Sequence, residues 1–248
     1  MSNDTSSTLT QVSGRLQGTV VRPSALTLPQ RQRMFQLLKD YFSNVHMSDF
    51  EHDLLEKEWV VVLSDTESDQ VQGFSTLMRL TTTVNDETII AFFSGDTIID
   101  RAYWGETELP RLWGKHVFDL ADAEPDARVF WYLISSGYKT YRFLPVFFQQ
   151  FYPTYKTETP PSIKQILDTL GHLKFPGEYE PDTGIIRFNK AVPLRDGVAE
   201  ITPQRLKNRH IAFFIEKNPG HSQGDQLACL VELRRDNITA AGKRMLTS

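Results

Sequence analysis

Two apolar segments joined by one polar turn limit what this chain can fold into. Trp59 to Leu63 is an almost unbroken apolar run, and a second segment with several apolar residues, Val71 to Leu80, follows after the polar residues 64–70. Two such runs around a polar turn predict a β-hairpin. A third apolar run, Thr88 to Phe93, predicts another buried strand, which we expect to end at Ser94-Gly95-Asp96.

The segments around these strands carry their own signals. A short strand over 19–23 comes first, and two helices are predicted from Pro29 and from Ser48. Further along, the apolar spacing predicts in order a helix over 106–122, a strand over 129–134, a segment over 138–143 that extends or pairs with that strand, and a short aromatic helix over 143–152.

Three regions differ in character along the chain. Residues 1–15 are polar and rich in Ser and Thr, with almost nothing to bury, so they predict a disordered tail. Residues 16–158 hold the elements described above and form the predicted core. Residues 159–248 begin with a predicted helix and end with the apolar strand Leu227 to Leu233. Because no flexible linker precedes them, we expect a C-terminal α/β extension packed on the core.

Composition excludes several classes of function. The 248 residues carry a formal net charge of −4, which is unlike the basic footprint of a nucleic-acid-binding protein. A single cysteine, Cys229, cannot form an internal disulfide and fits a reducing compartment. No apolar run reaches the ~18 residues of a membrane span, and no secretory signal opens the chain, so a cytoplasmic protein is predicted. The histidine spacings match no metal motif, so no metal is expected.

Three short sequences and the order of the elements connect the chain to a known family. They are Val20-Val21-Arg22-Pro23 at the end of the first strand, Val71-Gln72-Gly73-Phe74 at the start of the third, and the aromatic run 147–152. With this order, residues 17–156 resemble the GNAT acyltransferase superfamily. The resemblance implies an α+β fold, with a mixed, mostly antiparallel twisted sheet flanked by helices. It also implies transfer of an acyl group from a thioester to an amine.

The family binds the pyrophosphate of coenzyme A with a glycine-rich loop at a helix N-terminus, where free backbone N–H groups attract the anion. The matching segment here is Arg101-Ala102-Tyr103-Trp104-Gly105, followed by the acidic Glu106 and Glu108. This departure leaves two donors open, acyl-coenzyme A held in another way or an acyl group on a carrier protein. The resemblance assigns cofactor binding to Arg101, Trp104, Gly105 and Phe93.

Catalysis in this family uses a base for the acceptor amine and an acid for the departing thiolate. Tyr152 matches the acid best, with Tyr155 as the alternative, although either tyrosine also fits an aromatic core. Asp96, expected at a strand end, is the candidate base, and it fits a turn equally well. His221 in the polar loop 218–225 is a second candidate base if that loop folds over the cleft.

Several functional alternatives stay open at this stage. The 16 phenylalanines predict either a filled core or an apolar channel for a medium or long fatty acyl chain. The leading hypothesis is an N-acyltransferase of secondary metabolism or peptide modification, acting on a small-molecule or peptide amine. The alternatives are a non-catalytic protein that binds a ligand or partner, and a hydrolase using Ser94, Asp96 and His221. The last third either builds the acceptor site or makes a homodimer contact.

Overall fold

The computed structural model describes residues 15–247, so the predicted disordered tail at 1–15 lies, but for Arg15, outside the described residues. Within this range the chain forms a single sheet of eight strands. The strands are β1 Leu16–Val21, β2 Trp59–Asp65, β3 Val71–Val84, β4 Glu87–Ile99, β5 Arg128–Ser135, β6 Tyr179–Glu180, β7 Ile185–Ile186 and β8 Gln226–Glu232.

Nine α-helices lie in the described part of the chain. They are α1 Leu28–Tyr41, α2 Met47–Leu55, α3 Glu108–Asp122, α4 Tyr138–Tyr141, α5 Phe143–Phe147, α6 Pro161–Lys174, α7 Pro203–Leu206, α8 Arg209–Lys217 and α9 Ala240–Thr247. A capping box formed by Thr27 and Gln30 fixes the start of α1. The helix predicted to start at Ser48 begins one residue earlier, at Met47, and its N-cap residue, His46, makes no side-chain cap.

The strands are ordered β1-β2-β3-β4-β5-β8-β7-β6 across the sheet. Every neighbouring pair is antiparallel except β4 and β5, which run parallel and are connected through α3. The predicted fold class, a mixed and mostly antiparallel sheet flanked by helices, is therefore confirmed.

Both faces of the sheet are covered. On one face α3 packs over the centre of the sheet, and Trp113, Val117 and Phe118 belong to its largest apolar cluster. On the other face α1 and α2 cover β2 and β3, while α6 covers the middle strands through Ile166 and Leu170. These helices bury the strands on both sides, which explains why the strands are so uniformly apolar.

The C-terminal third supplies β6, β7 and β8 to the same sheet. β8 lies directly beside β5 and pairs with it over six residues, from Phe130 opposite Glu232 to Ser135 opposite Leu227. At the other end of this segment, α9 packs on α3. The contact is close because Gly114 has no side chain: a Cβ there would lie 2.9 Å from both Met245 Cε and Leu246 Cδ2.

Three predicted elements differ from the structure. The segment 138–143 is helical, since α4 starts immediately after Gly137, and it neither extends β5 nor pairs with it. The aromatic helix ends at Phe147, and residues 148–152 are not helical, because Phe148 and Tyr152 form isolated β-bridges with Ile238 and Leu230. The strand expected to end at Ser94 continues through Asp96 to Ile99.

Among the described residues, we find no helix with the length and apolar character that crossing a membrane requires.

Candidate functional site

The parallel strands β4 and β5 separate before either of them ends. Their pairing stops at Ser94 opposite Leu133, although β4 continues to Ile99. On its other side, β4 is irregular at the same level. Ser75 pairs with Thr97 and Leu77 with Ser94, so two residues of β4, Gly95 and Asp96, lie opposite one residue of β3. This is a β-bulge, a feature that redirects side chains and is frequent beside active sites.

A narrow cleft with a cavity volume of about 60 Å³ opens at this divergence on the α3 face. The walls are almost entirely apolar and come from α3, β5, α4, α5 and α9. They include Leu109, Trp113, Phe118, Trp131, Leu133, Thr140, Phe143, Phe147, Phe148 and Met245.

The few polar groups on the β3 and β4 wall are paired with one another. Trp131 Nε1 donates to Ser94 Oγ at 2.8 Å, and the hydroxyls of Ser75 and Thr97 lie 2.8 Å apart. Because these hydroxyls are already bonded, the cleft presents a surface suited to an apolar chain.

On the opposite face, the bulge holds a cluster of charged groups. The side chain of Lys57 is fully buried, and its Nζ donates to Asp53 Oδ1 at 2.6 Å. Lys57 packs on the bulge itself, since a Cβ on Gly95 would lie 2.8 Å from Lys57 Cε and 2.5 Å from Thr76 Oγ1. Gly95 also lines the apolar cleft. A single backbone segment therefore separates the cleft from the charged cluster.

Asp96 belongs to this cluster. Burial and the negative charge of Asp53 raise the pKa of Asp96 from its ordinary 3.8 to about 7, while the positive charge of Lys57 opposes the shift. A carboxyl group with such a pKa exchanges protons near neutrality, as a general base must.

The loop after β4 is held by hydrogen bonds at the end of that strand. The carbonyl oxygen of Ile99 accepts hydrogen bonds from Tyr41 Oη at 2.9 Å and from Trp104 Nε1 at 3.0 Å. Gly105 follows with φ +107°, a conformation that favours glycine. The structure thus places Arg101, Trp104 and Gly105 together, between β4 and α3.

The acidic residues of this loop have separate roles. Glu108 forms a two-pronged ion pair with Arg111 within α3, with distances of 2.9 and 2.7 Å. Its charge is therefore balanced inside the helix. Glu106 makes no such pair among the described residues.

Phe93 and Tyr152, two of the predicted site residues, lie elsewhere. Phe93 is 3% exposed and packs on the α6 face against Tyr132 and Phe175, with ring centroids 5.5 and 5.6 Å apart. Tyr152 exchanges two backbone hydrogen bonds with Leu230 of β8, at 2.9 and 2.8 Å, and lines a different cavity. The position of Phe93 therefore does not support the expected role in cofactor binding. The position of Tyr152 does not support the expected role as the acid.

His221 is not brought to Asp96 either. It lies on a short 3-10 turn before β8, its ring packs on Phe214 at 5.8 Å, and burial lowers its pKa. The charged groups that act on the pKa of Asp96 are Asp53 and Lys57. The structure does not support the hydrolase hypothesis either, because its three residues do not meet. His221 is not near Asp96, and Ser94 Oγ accepts a hydrogen bond from Trp131 instead.

Lys57 and Thr76 were not identified from the sequence. Lys57 directly follows α2 among charged neighbours, which is typical of a solvated helix end, and no local pattern marks it as buried. Residues 15–247 contain no group of three His, Cys, Asp or Glu side chains arranged to hold a metal ion.

No protein-family model matches the chain, and no curated protein sequence does. Among solved structures, the chain is similar to an Enterococcus faecalis protein described as a probable N-acyltransferase, with 14% identity and a TM-score of 0.40 over 54% of this chain. The chain spans 33% of that protein.

Two further similarities cover comparable parts of the chain. An Escherichia coli GNAT family N-acetyltransferase in complex with CoA is 18% identical, with a TM-score of 0.37, over 53% of this chain and 68% of that one. An acyl-CoA N-acyltransferase from Pseudomonas aeruginosa is 17% identical, with a TM-score of 0.35, over 49% and 80% of the two chains.

Proposed function

We propose that this protein transfers an acyl group from a thioester to a primary amine, with the thioester held where β4 and β5 separate. The observation that carries the proposal is the arrangement at the bulge. An apolar cleft lies on one side of Gly95, and Asp96, whose pKa is raised to about 7, lies next along the same strand in the charged cluster. Acyl transfer to an amine needs these two elements, a dry site for the acyl donor and a base for the acceptor.

The reaction follows from this placement. An acceptor ammonium group loses a proton to the Asp96 carboxylate, and the free amine attacks the thioester carbonyl through the gap that opens beyond Ser94, where β4 and β5 no longer pair. A C–N bond forms and the C–S bond breaks; the second proton that the nitrogen loses passes through water to the departing thiolate, and Asp96 returns its own proton to solvent. Lys57 keeps a positive charge near Asp96, which limits the rise in the pKa of that carboxyl group.

The lining of the cleft favours an acyl chain longer than acetyl. Aromatic and aliphatic side chains of α3, α5 and α9 form its walls, and each methylene buried there contributes about 0.8 kcal/mol. We therefore propose a medium-length or long fatty acyl group as the donor chain. The thioester is that of coenzyme A or of a carrier protein, since both present the same pantetheine arm.

The acceptor reaches Asp96 from the α2 side. Asp53 on α2 is close enough to Asp96 to raise its pKa, and it is partly open to solvent. Two carboxyl groups there favour a positively charged acceptor. This suits a small-molecule or peptide amine that arrives in its ammonium form.

The proposal is tested by measuring release of free thiol from octanoyl thioesters in the presence of a panel of primary amines. We expect amine-dependent release by the wild-type protein and a loss of about 10²–10⁴-fold in the Asp96→Asn variant, the usual contribution of a general base. Asp49→Asn, the same change at an exposed position of α2, serves as the matched control. Equal turnover by the wild-type and Asp96→Asn proteins would refute the role of Asp96.

One observation favours a second function, the binding of a thioester without chemistry. No tyrosine lines the cleft in the described part of the chain, so a phenolic acid for the leaving thiolate is missing there. In that case, octanoyl thioesters bind but no amine in the panel releases thiol.

A further inference from the structure

A second cavity lies beside β8, on the α6 face of the sheet. Its volume is about 170 Å³, and its apolar floor consists of Phe130, Leu230 and Ile163, which belong to the apolar cluster beneath α6. We call it the β8 cavity. No described residue lines both the β8 cavity and the apolar cleft on the α3 face. Since a cavity of about 150 Å³ holds a molecule the size of benzene, the β8 cavity has room for one six-membered ring.

Hydrogen bonds hold the rim of the β8 cavity in place. Asn237 is 9% exposed, and its Nδ2 donates to the carbonyl oxygens of Gln150 and Glu232 at 2.9 and 3.0 Å. Its Oδ1 accepts from the backbone N–H of Gln150 at 2.8 Å. Gln149 Nε2 donates to two carbonyl oxygens of the segment after β8, at 3.1 and 3.0 Å. A rim that is fixed before binding costs a ligand little conformational entropy.

The charged side chains of the lining are paired with one another or with a neighbour. Arg128 donates to both carboxylate oxygens of Glu232, at 2.9 and 3.2 Å. Arg234 Nε donates to Asp236 Oδ1 at 3.0 Å. A charged ligand would have to compete with these pairs, whereas an uncharged one would leave them intact. The β8 cavity therefore favours an uncharged ligand.

Three polar groups of the lining remain without a hydrogen-bond partner among residues 15–247. They are Gln149 Oε1, the side-chain amide of Gln150 and the hydroxyl of Tyr152. Between them they offer two amide acceptors, an N–H donor and a hydroxyl that donates or accepts. Tyr152 also contributes an aromatic ring, a surface on which planar rings stack. A ring whose edge alternates donors and acceptors matches this set, in the way that a glutamine amide pairs with the edge of a nucleobase.

We propose that the β8 cavity is a second ligand site, which binds an uncharged six-membered heteroaromatic ring with amide-type donors and acceptors, the chemistry of a pyrimidine base. The size, the balanced charges and the unbonded polar groups of the lining all point to this class. Gln149, Gln150 and Arg234 are exposed at the rim, so a substituent on the ring, such as a sugar, can extend into solvent. This site is independent of the proposed acyl transfer, because the two sites share no residue of the described chain.

The test is a titration of the full chain with cytosine, followed by saturation-transfer NMR of the ligand. A ligand of this size should bind in about the millimolar range. Tyr152→Phe and Gln150→Ala each remove one uncharged hydrogen-bonding group, and each should weaken binding about two- to tenfold. Gln204→Ala, the same change at an exposed position of α7, is the matched control and should leave the affinity unchanged.

Two further probes separate shape from polar recognition. Benzene matches the size of the ring but offers no hydrogen bonds, and orotate adds a carboxylate to a pyrimidine, so both should bind more weakly than cytosine. Saturable cytosine binding that both variants weaken supports the site. The proposal is overturned if cytosine does not bind saturably, if both variants bind it as the wild type does, or if benzene or orotate binds equally well. A Gln204→Ala effect as large as that of Gln150→Ala overturns it too.

Competition with octanoyl phosphopantetheine distinguishes the β8 cavity from the thioester cleft. Cytosine should stay bound at saturating thioester, whereas displacement of cytosine would place both ligands in one site and overturn the proposal. If cytosine binds as predicted while no amine releases thiol, acyl transfer is wrong and the β8 cavity stands as a binding site.

Discussion

Asp96 on β4 has a pKa raised to about 7, so the rate of the proposed acyl transfer should depend on pH. The proposed reaction needs the carboxylate form, so kcat/KM should rise about tenfold per pH unit below 7 and level off above it. The measurement is a pH–rate profile of thiol release between pH 5 and 9. A flat profile across pH 6–8 would show that Asp96 does not act as the base.

The raised pKa of Asp96 should also make the stability of the folded protein depend on pH: the rate rises with pH, whereas the stability falls. Because the pKa of Asp96 is higher in the folded protein than its ordinary 3.8, the folded state binds more protons between about pH 4 and pH 7. The contribution of Asp96 to stability therefore falls as pH rises through this window. Asp96→Asn should raise the melting temperature at pH 8 and have little effect at pH 4, as measured by thermal unfolding at both values.

Lys57 acts on Asp96 through its charge. It lowers the pKa of Asp96, so Lys57→Met should move the pH–rate profile to higher pH, whereas a purely structural role would lower the rate at every pH alike. Lys174→Met is the matched control, because Lys174 pairs with Glu56 and does not act on Asp96. Identical pH profiles for the wild-type and Lys57→Met proteins would contradict this role.

At the scale of elements, the sequence predicts most strands and long helices because each of them carries its own apolar period. It fails where a partner distant in sequence decides the conformation. Residues 148–152 look helical, yet Tyr152 is extended because its backbone bonds to Leu230, 78 positions along the chain. β4 passes Ser94 because its pairing with β3 continues beyond the bulge, and no local pattern indicates that.

Helix α9 sets the depth of the cleft through Met245. Met245→Trp should fill this end and lower the affinity for octanoyl thioesters more than for acetyl thioesters, because the lost space affects only the longer chain. Val146→Trp, on α5 and partly exposed, is the control for bulk added outside the cleft. Competition binding with the two thioesters measures the ratio. An unchanged ratio in Met245→Trp would show that α9 does not face the acyl chain.

At the scale of the whole molecule, the sequence identifies only part of the site. Asp96, Arg101, Trp104 and Gly105 could be proposed from the sequence because they lie within a single stretch of chain, and their roles stay predictions. Lys57 and Thr76 were missed, since 19 positions separate them and only the packing of Lys57 on the β-bulge brings both side chains to Gly95. Phe93 was misjudged because a sequence does not show which face of a strand meets the cleft.

The C-terminal third is also needed for the sheet. β8 covers the edge of β5 over six residue pairs, and both strands are buried on both faces. A chain that ends at residue 158 should therefore fail to fold cooperatively, since β5 would keep an unpaired apolar edge. Circular dichroism melting of residues 16–158 tests this against the full chain. A cooperative transition of the fragment would show that the core folds alone.

The most direct test of the account is a calorimetric titration of the wild-type protein with acetyl, butanoyl and octanoyl phosphopantetheine at pH 7. If the acyl chain occupies the apolar cleft, each added methylene should tighten binding about fourfold, which corresponds to 0.8 kcal/mol, until the cleft is full. The account predicts a steep increase from acetyl to octanoyl. Equal affinities for the three thioesters, or no binding of any, would contradict it.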